Sequence, residues 1–167
     1  SDETTPETPT EETTRYTLSI HIESRDNAQI NLPLSVFIFN QANECVHTES
    51  LTQTEDDYQT LLPKGKYNIV VWSAMEGNGF SYPLQFTPQS YVSMPDGLHA
   101  PTPPQSGKVS INLTQATTAH LTLSYLVAAL RFSLNGIPSQ AEAVEVKVSP
   151  VSSAVTFEGD YKNDLRE

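Results

Sequence analysis

Basic residues are scarce in this chain. Nine Lys and Arg stand against twenty Asp and Glu over 167 residues, a formal net charge of −11. Phosphate backbones are held by Lys and Arg, so nucleic acid is excluded as a partner. An anionic membrane surface held through a basic patch is excluded for the same reason. Asp2, Glu3, Glu7, Glu11 and Glu12 fall in the first fourteen positions with no base among them. Such a balance serves solubility. Cysteine is almost absent: Cys45 stands alone, so neither an internal disulfide nor a thiolate metal site is available. An exported protein can still have this count, because disulfides help small cores most. Cys45 lies in a strand-like run and reads as a small apolar residue. No apolar run reaches the ~18 residues of a membrane span. The chain starts at Ser1 without Met, as a mature form with its leader removed would.

Signatures of catalysis are missing too. The histidines His21, His47, His99 and His120 have no second His or Cys at metal-ligand spacing. His21 and His120 fall at outward strand positions and read as solvated. Asp56-Asp57 lacks the spacing of a calcium loop. There is no G-x-S-x-G, no phosphate-cradling glycine loop and no H-E-x-x-H. Asn112-Leu113-Thr114 fits a glycosylation sequon but sits in an expected strand. No enzyme, metal or cofactor is expected.

What remains is β-structure. Residues 1–14 are almost wholly Thr, Glu and Pro. They offer nothing to bury and are expected to form a disordered acidic tether. Tyr16, Leu18, Ile20 and Ile22 then alternate with polar residues, the pattern of a half-buried strand. Leu34, Val36 and Ile38 share one face of the next run, with Phe37 and Phe39 on the other. Gln41-Ala42-Asn43 reads as a hairpin loop into Cys45–Thr48. Further strands are expected at 58–62, 109–113, 119–125, 128–134, 144–148 and 155–157, with a turn at 135–138. Residues 74–107 hold so many Gly and Pro that no regular element should last there. Long loops are usually functional or mobile, and Phe80, Tyr82, Phe86 and Tyr91 are interleaved in this one. Short strands with turn punctuation and no helix read as an all-β, two-sheet β-sandwich of about seven to nine strands. It should span residues 15–160, with 161–167 a tail or the start of a second domain.

The most informative stretch is Leu61-Leu62-Pro63-Lys64-Gly65-Lys66-Tyr67-Asn68-Ile69-Val70-Val71-Trp72. Pro63 suits a turn and Gly65 is expected to supply a positive φ. Tyr67, Ile69 and Val71 alternate with Asn68, Val70 and Trp72, so the far end is apolar on both faces. A central strand of a sandwich has that pattern. Trp72 with Tyr67 would otherwise suit a carbohydrate platform, but this placement assigns them to the core.

That stretch, the run Val36-Phe37-Ile38-Phe39-Asn40 before it, and the Gly/Pro-rich crossover ending at Gly107 come in a fixed order. Strand 108–113 and Leu121–Leu134 closing with Asn135-Gly136-Ile137-Pro138 complete the series. It resembles the fimbrillin-like proteins of Bacteroidetes surface fimbriae, most closely their fimbrium-anchor (FimB-type) branch, across residues 16–158. The resemblance implies a transthyretin-like (Greek-key) sandwich in an exported outer-membrane lipoprotein of the fimbrium. Other fimbrial subunits would be its partners, with glycans or host proteins as further ones. The membrane would be reached only through an N-terminal lipid outside this chain. Ser1-Asp2-Glu3 resembles the acidic export signal that follows a lipidated Cys. Tyr125 and Ala129 stand where family members often carry basic residues.

Subunits of this class join by strand exchange, so Tyr16, Leu18, Ile20 and Ile22 mark a candidate exchangeable strand. Arg25 just after it is a candidate protease site. The implied function is non-enzymatic: an anchor, stalk or tip component acting in fimbria assembly and cell adhesion. The alternative is a glycan- or protein-binding surface lipoprotein using loop 74–107, with Phe80, Tyr82, Phe86 and Tyr91 as contacts.

Overall fold

The computed structural model describes residues 14–75, 79–93, 104–126 and 154–160. Expectations for the tether up to residue 13, for 128–134, 135–138, 144–148 and the tail 161–167, and for Ala129, lie outside the described residues.

Nine strands run through the described residues: β1 (Arg15–Ser24), β2 (Leu34–Phe39), β3 (Cys45–Leu51), β4 (Tyr58–Pro63), β5 (Gly65–Ser73), β6 (Tyr91–Ser93), β7 (Gln105–Leu113), β8 (Thr117–Tyr125) and β9 (Ala154–Thr156). Seven form one curled sheet in the order β3-β2-β5-β7-β8-β1-β4, and β6 pairs with β9. A 3-10 turn at Arg25–Asn27 is the one helical element among the described residues. β7 and β8 share just two register pairs, Gln105↔Tyr125 and Ser106↔Ser124. Beyond them the strands part, and the sheet folds into a layer β4-β1-β8 over a layer β3-β2-β5-β7. Gly107 sits at this parting. A Cβ there would lie 2.4 Å from the Thr122 carbonyl oxygen and 2.7 Å from Leu121 Cδ2, so the close approach requires glycine.

Period-two alternation sets the inner core. Leu18, Ile20 and Ile22 of β1 and Ala119, Leu121 and Leu123 of β8 face Leu34, Val36 and Ile38 of β2 and Tyr67, Ile69 and Val71 of β5. This is the expected two-sheet β-sandwich. Strands β2 and β5 are also buried on their other face. Phe37, Phe39, Val70 and Trp72 join Met75, Val92, Val155 and Phe157 in a second core. The β6-β9 pair supplies Val92 and Val155, so the layer holding β2 and β5 is the middle one of three. Trp72 is fully buried and its Nε1 donates to the Phe157 carbonyl at 3.1 Å. Among the described residues no buried side-chain polar atom lacks a partner.

Two expectations are corrected. Gly65 does not take a positive φ; the described glycines that do are Gly79 and Gly159. β4 and β5 belong to different layers, so the expected turn at Pro63-Lys64 is a corner between them. The corner is pinned by Tyr67, whose hydroxyl donates to the Pro63 carbonyl at 2.7 Å. Regular structure also survives within 74–107. β6 forms at Tyr91–Ser93 and β7 begins at Gln105, before Gly107. The Gln105 side chain is fully buried, bonded to the Gln29 carbonyl (3.2 Å) and the Asn31 N–H (3.4 Å).

Truncating Trp72 to Ala removes the shared piece of the second core and is expected to cost ~3–5 kcal/mol. Trp72→Phe keeps much of the packing but strands the Phe157 carbonyl, at ~1–3 kcal/mol. Urea unfolding followed by far-UV circular dichroism measures both, since the sole tryptophan is the residue changed. Near-equal stability of Trp72→Ala and wild type would contradict the second core.

Candidate functional site: the first strand and the aromatic cover

β1 is not an edge strand. It pairs antiparallel with β4 from Arg15↔Pro63 to Ile20↔Tyr58, and parallel with β8 from Leu18↔Thr117 to Ser24↔Leu123. Leu18, Ile20 and Ile22 are buried, and Tyr16 packs half-buried against the same core. At ~1.5–3 kcal/mol per buried side chain, those three contribute ~5–9 kcal/mol of gross burial. Arg25 follows in the exposed 3-10 turn, where Asp26 and Asn27 take φ of 56° and 53°.

The outer face of β1 carries a cluster that its sequence pattern did not reveal. His21 Nδ1 lies 2.7 Å from Asp57 Oδ1 and its Nε2 lies 2.9 Å from Glu23 Oε1. Its ring also meets the edge of His120, its register partner on β8, at 5.5 Å. Asp57 just precedes β4, so His21 meets groups from β1, from β8 and from the segment that leads into β4. The expectation of a solvated His21 is therefore corrected to a paired one, while His120 is exposed. Asp57 is 36 residues away in sequence, and no local signal joins the two. Both ring nitrogens can donate only when the ring is protonated. The His21 pKa is accordingly raised from 6.5, chiefly by the Asp57 bond and then by the Glu23 bond.

The four loop aromatics divide. Phe80 and Phe86 are partly buried against the second core. Phe86 stacks on Phe157 at 4.7 Å between ring centroids. Tyr82 and Tyr91 are 41% and 46% exposed. Tyr82 meets Phe37, Phe86 and Phe157 edge-on, so it roofs the same cluster. Leu84, two residues beyond Tyr82, is fully exposed.

At the open seam of the sandwich the edge strands β3 and β4 are joined by His47 Nε2 and the Tyr58 hydroxyl, 2.5 Å apart. Cys45 is half-buried, and burial pushes its thiol up from the ordinary value. A nucleophilic cysteine needs the opposite shift. Among the described residues no group of three or more His, Cys, Asp or Glu could hold a metal ion, and no helix is long and apolar enough to cross a membrane.

The same architecture occurs in solved proteins. A candidate adhesin from Bacteroides ovatus matches with a TM-score of 0.61 at 13% identity, covering 90% of this chain and 61% of its own. A candidate polysaccharide-binding protein from Bacteroides thetaiotaomicron gives 0.52 at 14%, covering 65% and 46%. The fimbrial anchor protein Mfa2 from Porphyromonas gingivalis gives 0.52 at 11%, covering 66% and 50%. At these identities the likeness establishes the fold. The chain spans about half of the length of these relatives, between 46% and 61%. No curated protein sequence matches it significantly. The family model of the fimbrillin-A associated anchor proteins Mfa1 and Mfa2 matches residues 5–167. The chain belongs to that family.

The His21 cluster makes a pH dependence. A folded-state pKa above the ordinary 6.5 means the pairing contributes fully below 6.5 and is lost as pH rises through the raised value. Wild type should therefore lose more stability over that rise than His21→Gln, which cannot titrate. Urea midpoints measured on both sides of the window test this. Parallel curves for the two proteins would contradict the pairing.

Proposed function

We propose that this protein is a non-enzymatic fimbrial component that acts in fimbria assembly and cell adhesion. The observation that carries the reading is the anchor-family match over residues 5–167. The sandwich supports it, since its fold is shared with a fimbrial anchor protein. Other fimbrial subunits are its partners, and an N-terminal lipid outside this chain holds it to the outer membrane.

Subunit joining uses the slot of β1. Replacing β1 by a partner's strand would restore two hydrogen-bonded ladders at once, one to β4 and one to β8. The exposed Arg25 is the place for a trypsin-like cut that frees it.

Immunogold electron microscopy of the source cells should put gold on filaments, and its position would separate base, stalk and tip. Gold scattered over an envelope without filaments would refute the fimbrial reading. For the slot, the folded chain is cut after Arg25 and mixed with a labelled peptide of residues 15–24. Retention of the peptide through gel filtration is expected; a cut protein that never takes it up rules out exchange at this strand.

A further inference from the structure

The outer face of the middle layer is only half covered. The rings of Phe37 and Phe39 and the side chains of Val70 and Trp72 lie under the β6-β9 cover. The same face continues on β5 as Lys66 and Asn68 and on β7 as Lys108, Ser110 and Asn112. The register sets Lys66 opposite Asn112, Asn68 opposite Ser110 and Val70 opposite Lys108. With Asn40 and Gln41 of the β2–β3 hairpin, this end lines an open cleft of about 360 Å³.

Its lining is unusual for this chain. Three asparagines, one glutamine, one serine and one lysine line it beside Tyr67 and Ile111, and no carboxylate does, although acidic residues outnumber basic ones by twenty to nine. Glu44 is the carboxylate of the adjacent hairpin, and it accepts a bond from Asn40 Nδ2 at 3.3 Å. Ser110 donates to Asn68 Oδ1 at 2.6 Å, which leaves the Asn68 amide N–H groups as donors toward the cleft. Among the described residues the ion pairs are those of His21, so Lys66 and Lys108 have no carboxylate in contact. Amides both donate and accept, which matches sugar hydroxyls that do the same. The lysine adds a site for a negative group.

We propose that this cleft binds a saccharide bearing a carboxylate, with Lys66 on the carboxylate and Asn68, Asn112 and Gln41 on ring hydroxyls. Both uronic and sialic acids have this chemistry. The site is separate from the exposed Tyr82 and Leu84 and does not depend on strand exchange.

Isothermal titration of the 167-residue chain tests it with tri-galacturonate, sialyllactose and neutral lactose. Binding of either acidic sugar, weakened by added salt and absent for lactose, is expected. Which acidic sugar binds identifies the source. Lys66→Gln should weaken it at least about tenfold, the loss of one charge-assisted contact. Leu84→Ser should leave it unchanged. Near-UV circular dichroism of Trp72 checks that each variant is folded. No binding of either acidic sugar at millimolar concentration would overturn the proposal. So would binding indifferent to Lys66→Gln, or equal affinity for poly-glutamate, which would make the cleft a site for acidic peptides.

Discussion

The structure depends on one end of a layer, in β2 and β5, that is buried on both sides. β5 carries Tyr67, Ile69 and Val71 into one core and Val70 and Trp72 into the other. The far end of such a strand has no face for water, so the chain must return to cover it. It does so from far away. Phe157 lies 85 residues beyond Trp72, and its carbonyl receives the indole N–H. The bond is buried, where an unpaired donor is costly, so it holds the three-residue strand β9 at one place on the layer. The short cover strands β6 and β9 could not persist on their own pairing. Their position derives from Val92, Val155 and Phe157 packing on β2 and β5.

This dependence also explains how far the fold was legible. Alternation in β1, β2, β5 and β8 could be read directly, because each has a strict period of two with a buried set. The both-faced apolar ends of β2 and β5 were visible too, and they called for cover on each side. Of the cover, β9 was readable as the short strand expected at 155–157, but β6 was not. β6 is three residues long and set among glycines and prolines, so local pattern carries no signal for it. The parallel register of β1 with β8 was equally hidden, since strand pattern does not encode partner direction. Gly65 does not take the expected left-handed conformation, because no reversal within a sheet is made at this point. The chain instead crosses from one layer to the other there, and Lys64 alone bridges the corner.

Of the candidate site residues, the buried ones were the more legible. Leu18, Ile20 and Ile22 point inward as their spacing requires. Phe80 and Phe86 looked like surface contacts because loop aromatics carry no period, yet the second core needed their rings. The His21 cluster shows the complementary blind spot. A polar residue at an outward position tells nothing about which distant carboxylate the fold will set beside it.

An N-terminal strand held on both sides presents an apparent conflict with removability. Two ladders and three buried side chains resist its loss. The same geometry determines how firmly a substitute strand would be held, because the substitute inherits both ladders and the same inward pockets. A strand at an edge would leave easily and bind its replacement just as loosely. The cost of opening and the strength of the closed joint are therefore one quantity, read in opposite directions. What separates them is the outer face: the His21 pairing to Asp57 and Glu23 belongs to this chain's own side chains. A replacement without a histidine at that position would keep the ladders and forgo the pairing. The polar cluster then distinguishes the native strand from a substitute, while the apolar face does not.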